Sequence, residues 1–75
     1  MTEKEVRRML HEHAVKSVEV ITTAENIYLV LINHKPIKLV RGDVRTFARL
    51  DTAAGFLKRL GVYIYTTHLI PRVDA

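Results

Sequence analysis

The sequence predicts one α+β domain, with two helices and four strands in the order α-β-β-β-α-β. Apolar residues recur at helical spacing near the N-terminus and again over residues 53–60. The segments between and after these two stretches are rich in β-branched and aromatic residues, which is typical of strands. A chain of 75 residues leaves room for a single domain, which we assign to residues 1–75.

The first helix is predicted to begin after Thr2. Thr2 and Glu5 have the spacing of a capping box, in which each side chain accepts a hydrogen bond from the other residue's backbone amide. Val6, Met9 and Leu10 then recur on one face. This periodicity predicts that the helix ends near residue 15 or 16.

The first three strands are predicted over residues 17–23, 27–33 and 37–40. The second of them is apolar on both faces, which favours a central position in the sheet. Turns at residues 24–26 and 33–36 join the three strands, so we expect an antiparallel meander. After a turn at residues 41–43, residues 44–47 are expected to resume an extended conformation.

The second helix and the last strand follow. Asp51 is predicted to be the N-cap residue and Gly61 to end the helix. Residues 62–67 are the fourth predicted strand, and Pro71 ends the ordered part. The last strand is expected at an edge or beside the first strand, which gives an antiparallel four-stranded sheet with both helices packed on one face.

The composition excludes several kinds of chemistry. The chain has no cysteine, which removes disulfides and thiolate ligands, and its four histidines are not spaced to converge on one metal ion. It also lacks a nucleophile elbow and a glycine-rich phosphate loop. We therefore expect a non-enzymatic protein without cofactor or metal. A charged N-terminus and short apolar runs favour a soluble, cytoplasmic protein without a signal peptide.

One stretch of the chain is strongly basic. Five cations fall within fifteen residues and are opposed only by Asp43: Lys35, Lys38, Arg41, Arg45 and Arg49. With a formal net charge of +4, they predict a strip that contacts the phosphates of a nucleic acid. The alternative is that lysine on an edge strand only discourages edge-to-edge pairing.

Self-association is the other expectation. Two helices cover only one face of the sheet, so the opposite face is predicted to expose apolar side chains that a monomer rarely tolerates. The residues expected there are Tyr28, Val30, Ile32, Tyr63 and Tyr65. A two-fold homodimer would bury them. Tyrosines on an open sheet can also stack on unpaired bases, and a free sheet edge can accept a strand from another protein.

Residues 41–62, RGDVRTFARLDTAAGFLKRLGV, resemble a segment of small proteins carried on bacterial plasmids and other mobile elements. Some of these proteins are partition-associated, and others are of the integron-cassette type. The resemblance covers less than a third of the chain and implies an accessory role on mobile DNA, without assigning a role to any residue. The function predicted from all of these observations is a small accessory or regulatory binding module.

Overall fold

The computed structural model describes residues 1–23 and 26–68. In chain order the elements are α1 (Glu3–His11), β1 (Val18–Thr22), β2 (Tyr28–Ile32), β3 (Lys35–Pro36), α2 (Leu50–Leu60) and β4 (Thr66–His68). The strands form one sheet in the order β3-β2-β1-β4. The predicted α+β class and element order are confirmed. The predicted turn at residues 24–26 is described only at Asn26, and Pro71 lies outside the described residues.

The prediction of an antiparallel sheet is wrong, because β4 makes the sheet mixed. β1 and β2 pair antiparallel, as do β2 and β3, so the predicted meander is present. β4 pairs parallel with β1, with Glu19 opposite Thr66 and Ile21 opposite His68. A tight turn reverses the chain, whereas a helical crossover can return a strand in the same direction. The chain reaches β4 through α2, which allows the parallel pairing.

The capping box at the start of α1 is confirmed. The Thr2 side chain accepts from the Glu5 amide, and the Glu5 carboxylate accepts from the Thr2 amide. Hydrogen bonds from the Thr2 backbone and side chain lower the pKa of Glu5.

α1 ends earlier than predicted, because the backbone turns left-handed at His13 (φ 58°). The Ala14 amide donates to the Met9 carbonyl at 2.8 Å and the His13 amide to the Leu10 carbonyl at 3.2 Å. These two bonds are the Schellman closure of a helix.

β3 also begins earlier than predicted. Asn33 and His34 both have positive φ, 52° and 68°, as a two-residue hairpin turn with the twist of the flanking strands requires. Pairing therefore resumes at once, over Lys35–Pro36 instead of residues 37–40. The Ile37 amide still donates to the carbonyl of Val30 in β2. The chain then leaves β2. Phe47 returns to it through an isolated bridge with Tyr28, and Val44 forms an isolated bridge with Lys38.

The side chain of Asn33 ties this hairpin to the connection between α1 and β1. Its Oδ1 accepts from the amides of Lys16 at 2.6 Å and Ser17 at 3.1 Å. Its Nδ2 donates to the carbonyl of Ala14 at 3.1 Å. One side chain thus fixes the chain that follows α1 against the end of β2.

α2 begins before the predicted cap. The N-cap is Arg49, without a side-chain hydrogen bond, and Asp51 is the second residue of the helix, so the prediction of Asp51 as N-cap is wrong. Leu50 packs against the core, which draws the first turn of the helix towards the sheet. Gly61 ends the helix in a left-handed conformation (φ 91°), as predicted.

A single core lies between the helices and one face of the sheet. Its buried members are Val6, Val20, Val30, Ile32, Ile37, Phe47, Ala53, Phe56, Leu57, Leu60 and Val62. Both helices and both central strands contribute to this core. Within residues 1–23 and 26–68, no helix has the length and apolar character needed to cross a membrane.

Candidate interaction surface

The arginines of the predicted basic strip are paired with acidic side chains of the same chain. Arg41 lies 2.8 Å from Asp43, and Arg49 lies 3.5 Å from Asp51. Lys35 and Lys38 are exposed and make no ion pair within the described part of the chain. Intramolecular pairing reduces the positive potential that the arginines present to a phosphate.

Arg45 is more deeply engaged than its neighbours. Its guanidinium carbon lies 4.6 Å from the centroid of the Phe56 ring and 5.3 Å from that of Phe47. A terminal nitrogen lies 3.5 Å from the Glu3 carboxylate of α1. Arg45 therefore joins α1, α2 and the segment before α2, and this structural role competes with the predicted contact to nucleic acid.

The face of the sheet that we expected to be exposed is the face that packs against the core. Val30 and Ile32 are only 1% and 0% exposed, and Tyr28 and Tyr65 pack against the same core. The prediction that these side chains lie on an open face is wrong, because the helices pack against that side of β2. Tyr63 alone among the five predicted interface residues is exposed, at 73%.

The uncovered face of the sheet carries the alternate residues. Glu19 and Ile21 of β1 lie opposite Leu31 and Leu29 of β2, and the three apolar side chains are half-buried. Glu19 lies between two histidines, with Oε1 2.9 Å from His34 Nδ1 and Oε2 3.0 Å from His68 Nε2. Oε1 of Glu19 has no hydrogen-bond partner among the described residues. Glu19 nevertheless joins β1 to both the hairpin turn and β4.

Residues 62–68, which we call the edge segment, lead into β4 and include it, and β4 is the outer strand of the sheet beside β1. Sequence reasoning predicted a strand over residues 62–67, but the paired strand is confined to Thr66–His68. The amides of Tyr63, Ile64 and Tyr65 donate to no acceptor among the described residues. Ile64 is 91% exposed. The edge segment therefore combines side chains that favour strands with unpaired backbone.

A gap separates the first half of the edge segment from β1. Two cavities of about 420 and 400 Å³ lie between residues 16–18 on one side and residues 61–66 on the other. The Asn33 side chain holds the amides of Lys16 and Ser17 on the side of β2. At the opposite end, the Val62 amide donates to the carbonyl of Leu57 in α2. These two anchors hold the edge segment and residues 16–18 apart up to the point where Thr66 pairs with Glu19.

The other edge of the sheet is closed to strand addition. β3 has two residues, and the Ile37 amide points inward to Val30, so Pro36 presents its nitrogen outward. Proline has no N–H to donate there, and Lys35 adds a charge, as natural edge strands often do. The two edges of this sheet therefore differ in their capacity to accept a further strand.

A groove of about 690 Å³ opens where α2 begins. It is lined by Asn26, Tyr28, Ala48, Arg49, Leu50, Asp51, Ala54 and Tyr65. Arg49 and Asp51 face each other there, so the charges offset. Throughout residues 1–23 and 26–68, no group of three or more histidine and acidic side chains has an arrangement that fits a metal ion.

No protein-family model, curated protein or solved structure matches the chain. The resemblance of residues 41–62 to plasmid and mobile-element proteins therefore stays a prediction. The edge segment was recognisable from the sequence as a strand. Its missing backbone partner was not, because that depends on anchors at Asn33 and Leu57, distant in sequence.

Proposed function

We propose that the protein is a small non-enzymatic binding module that accepts an extended polypeptide as an additional strand along the edge segment. The observation that supports this most directly is that the amides of Tyr63, Ile64 and Tyr65 have no acceptor among the described residues. An added strand would supply carbonyl groups to those of these amides that point away from β1, since successive amides of an extended strand alternate in direction. Main-chain hydrogen bonds of this kind provide affinity in strand addition. The accessory role predicted from the sequence agrees with a module that acts by binding another chain.

The side chains of the edge segment support the same function. Tyr63 and Ile64 are exposed, and aromatic and β-branched residues contribute to stability when they lie opposite similar residues on a neighbouring strand. No proline, lysine or acidic residue occurs in residues 62–68 to discourage pairing. A peptide partner of matching chemistry is extended, uncharged in its central part and rich in β-branched or aromatic residues.

A displayed library of random heptapeptides would test the proposal directly. The protein is the bait at low concentration, and the selected peptides are compared on two variants. Ile64→Pro removes an amide that has no acceptor within the described residues, and it places a proline in a segment that strand addition would make interior to the sheet, where proline is excluded. Val40→Pro is the matched control, since Val40 is 96% exposed and follows Leu39 in a turn closed by Gly42.

We expect the selected peptides to be enriched in β-branched and aromatic residues and to bind the Val40→Pro variant as they bind the native chain. Their affinity for the Ile64→Pro variant should fall by about tenfold or more, because main-chain hydrogen bonds are lost. Peptides that bind both variants equally would contradict strand addition at this edge.

Phosphate binding is a second candidate function, supported by one observation. Lys35 and Lys38 are exposed without an ion pair among the described residues, on a chain with a formal net charge of +4. The paired arginines leave this candidate with fewer contacts than the sequence predicts. The salt dependence of nucleic-acid binding by variants of these two lysines distinguishes it from strand addition.

A further inference from the structure

We propose that the strand added to the edge segment is the edge segment of a second copy of this chain, running antiparallel about a two-fold axis through Tyr65. This inference rests on the proposed function, since it names the partner of the same edge. The resulting homodimer has a continuous eight-stranded sheet, in which each copy contributes its four strands.

The charge distribution favours a second copy. The chain has 12 lysines and arginines against 8 acidic residues, so two copies repel each other over most of their surface. Residues 62–68 contain neither lysine, arginine nor acidic side chains. The two chains can therefore approach along the edge segment without bringing like formal charges directly opposite each other.

The sequence of the edge segment is also self-complementary in this register. With Tyr65 opposite its own copy, Tyr63 lies opposite Thr67 and Ile64 opposite Thr66. The first pair joins an aromatic to a β-branched residue, and the second joins two β-branched residues. Both kinds of pair stabilise antiparallel strands. The midpoint of residues 62–68 is residue 65, so this register uses the whole segment.

The two edges of the sheet direct the association to β4. At the other edge, Pro36 presents no N–H and β3 is only two residues long. In the edge segment the amides of Tyr63, Ile64 and Tyr65 have no acceptor within residues 1–23 and 26–68. Pairing two copies along β4 supplies acceptors to alternate amides of both copies.

Light scattering and a cysteine scan test the inference. The native chain and the Val40→Pro control should have twice the 8.6 kDa mass of one chain, whereas Ile64→Pro should raise the dimer dissociation constant by about tenfold or more. Because the chain has no native cysteine, single cysteines at positions 63 to 67 can form disulfides only between copies. Cross-linking should be fastest for Tyr65→Cys, the position on the axis.

The possible results test the homodimer and the proposed function separately. A native chain of 8.6 kDa that still binds heptapeptides through the edge segment would overturn the homodimer and leave strand addition intact. A dimer that Ile64→Pro does not weaken, or that shows no cross-linking maximum at position 65, would also overturn this interface. Heptapeptides that bind the Ile64→Pro variant normally would overturn the proposed function itself.

Discussion

Arg45 lies over the ring of Phe56, with its guanidinium carbon 4.6 Å from the ring centroid. The ring belongs to α2 and is buried, while Arg45 belongs to the segment that leads back from β3. Phe47 lies beside both, 5.3 Å from Phe56 between ring centroids. The arginine thus covers an aromatic pair that would otherwise face solvent, and it pairs with Glu3 of α1. Its role is to cover the core where Phe47 and Phe56 meet.

Replacement of Arg45 by alanine should therefore destabilise the fold. We expect a loss of about 1 kcal/mol in the free energy of unfolding, because the cation–π contacts and the aliphatic cover of Phe56 are removed. Urea denaturation measures it. Arg41→Ala is the control, since Arg41 is more exposed and, within the described part of the chain, pairs with Asp43 alone. Its effect should stay within about 0.5 kcal/mol. Equal losses in the two variants would contradict the assignment.

Asn33 should be among the most sensitive polar positions. Asn33→Ala removes three hydrogen bonds and leaves alanine in a left-handed backbone conformation (φ 52°), which asparagine tolerates better. We expect the free energy of unfolding to fall by about 2 kcal/mol. Asn33→Gly removes the same bonds but accepts the left-handed backbone, and should be less costly by about 1 kcal/mol. Thermal and urea unfolding of both variants separate the two contributions. An alanine variant as stable as the native chain would disprove the role of this side chain.

The two helices end in the same way with different residues. His13 and Gly61 both have positive φ, and in each case the following amide bonds back into the helix. His13→Gly should stabilise the protein by up to about 1 kcal/mol, because glycine adopts this backbone without strain. Gly61→Ala should destabilise it by about 1 kcal/mol, although a Cβ at position 61 meets no atom within 4 Å. The two variants should shift the denaturation midpoint in opposite directions. A His13→Gly variant less stable than the native chain would contradict this explanation.

The capping box makes stability depend on pH. Hydrogen bonds from Thr2 lower the pKa of Glu5 in the folded chain, so the unfolded chain binds a proton at Glu5 first as pH falls. This contribution is fully present above the usual glutamate range and is lost as pH falls through the folded pKa. We expect an NMR titration to place the Glu5 midpoint lower in the native chain than in the urea-unfolded chain. Identical midpoints would contradict a capping contribution.

Phosphate binding by Lys35 and Lys38 has a measurable signature. If these lysines contact phosphates, affinity for a labelled random-sequence duplex falls as salt rises. The double variant Lys35→Glu/Lys38→Glu should then reduce the salt slope by roughly one for each lysine. Lys58→Glu/Arg59→Glu on α2 is the control, since it changes the formal charge equally elsewhere. An equal loss of affinity in both double variants would indicate that duplex binding depends on net charge alone and not on these two lysines.

Local sequence signals predicted the elements well wherever the structure depends on neighbours in the chain. The Thr2–Glu5 capping box and the Gly61 helix end are both present, because each involves residues within a turn of one another. The end of α1 was missed because His13 occupies a position where glycine is usual. Similarly, Asp51 is a suitable cap by type, but packing of Leu50 sets where α2 begins.

The candidate site was less predictable, because it depends on which face the helices cover. β2 is apolar on both faces, so its sequence did not distinguish the buried Val30 and Ile32 from the half-exposed Leu29 and Leu31. The pairing of the arginines with Asp43, Asp51 and Glu3 depends on side-chain geometry that spacing does not reveal. The unpaired backbone of Tyr63 follows from tertiary anchors that no local pattern encodes.

Pro36 also bears on how far assembly proceeds. A sheet with two receptive edges can recruit copies without end, and such growth leads to fibres. Here β3 is short, and the ring of Pro36 occupies the place of an outward amide. In a dimer joined along β4, the β3 strands with Pro36 form both outer edges of the shared sheet. The proposed dimer would therefore stop growing at two copies, because the short β3 strand and its Pro36 close both outer edges.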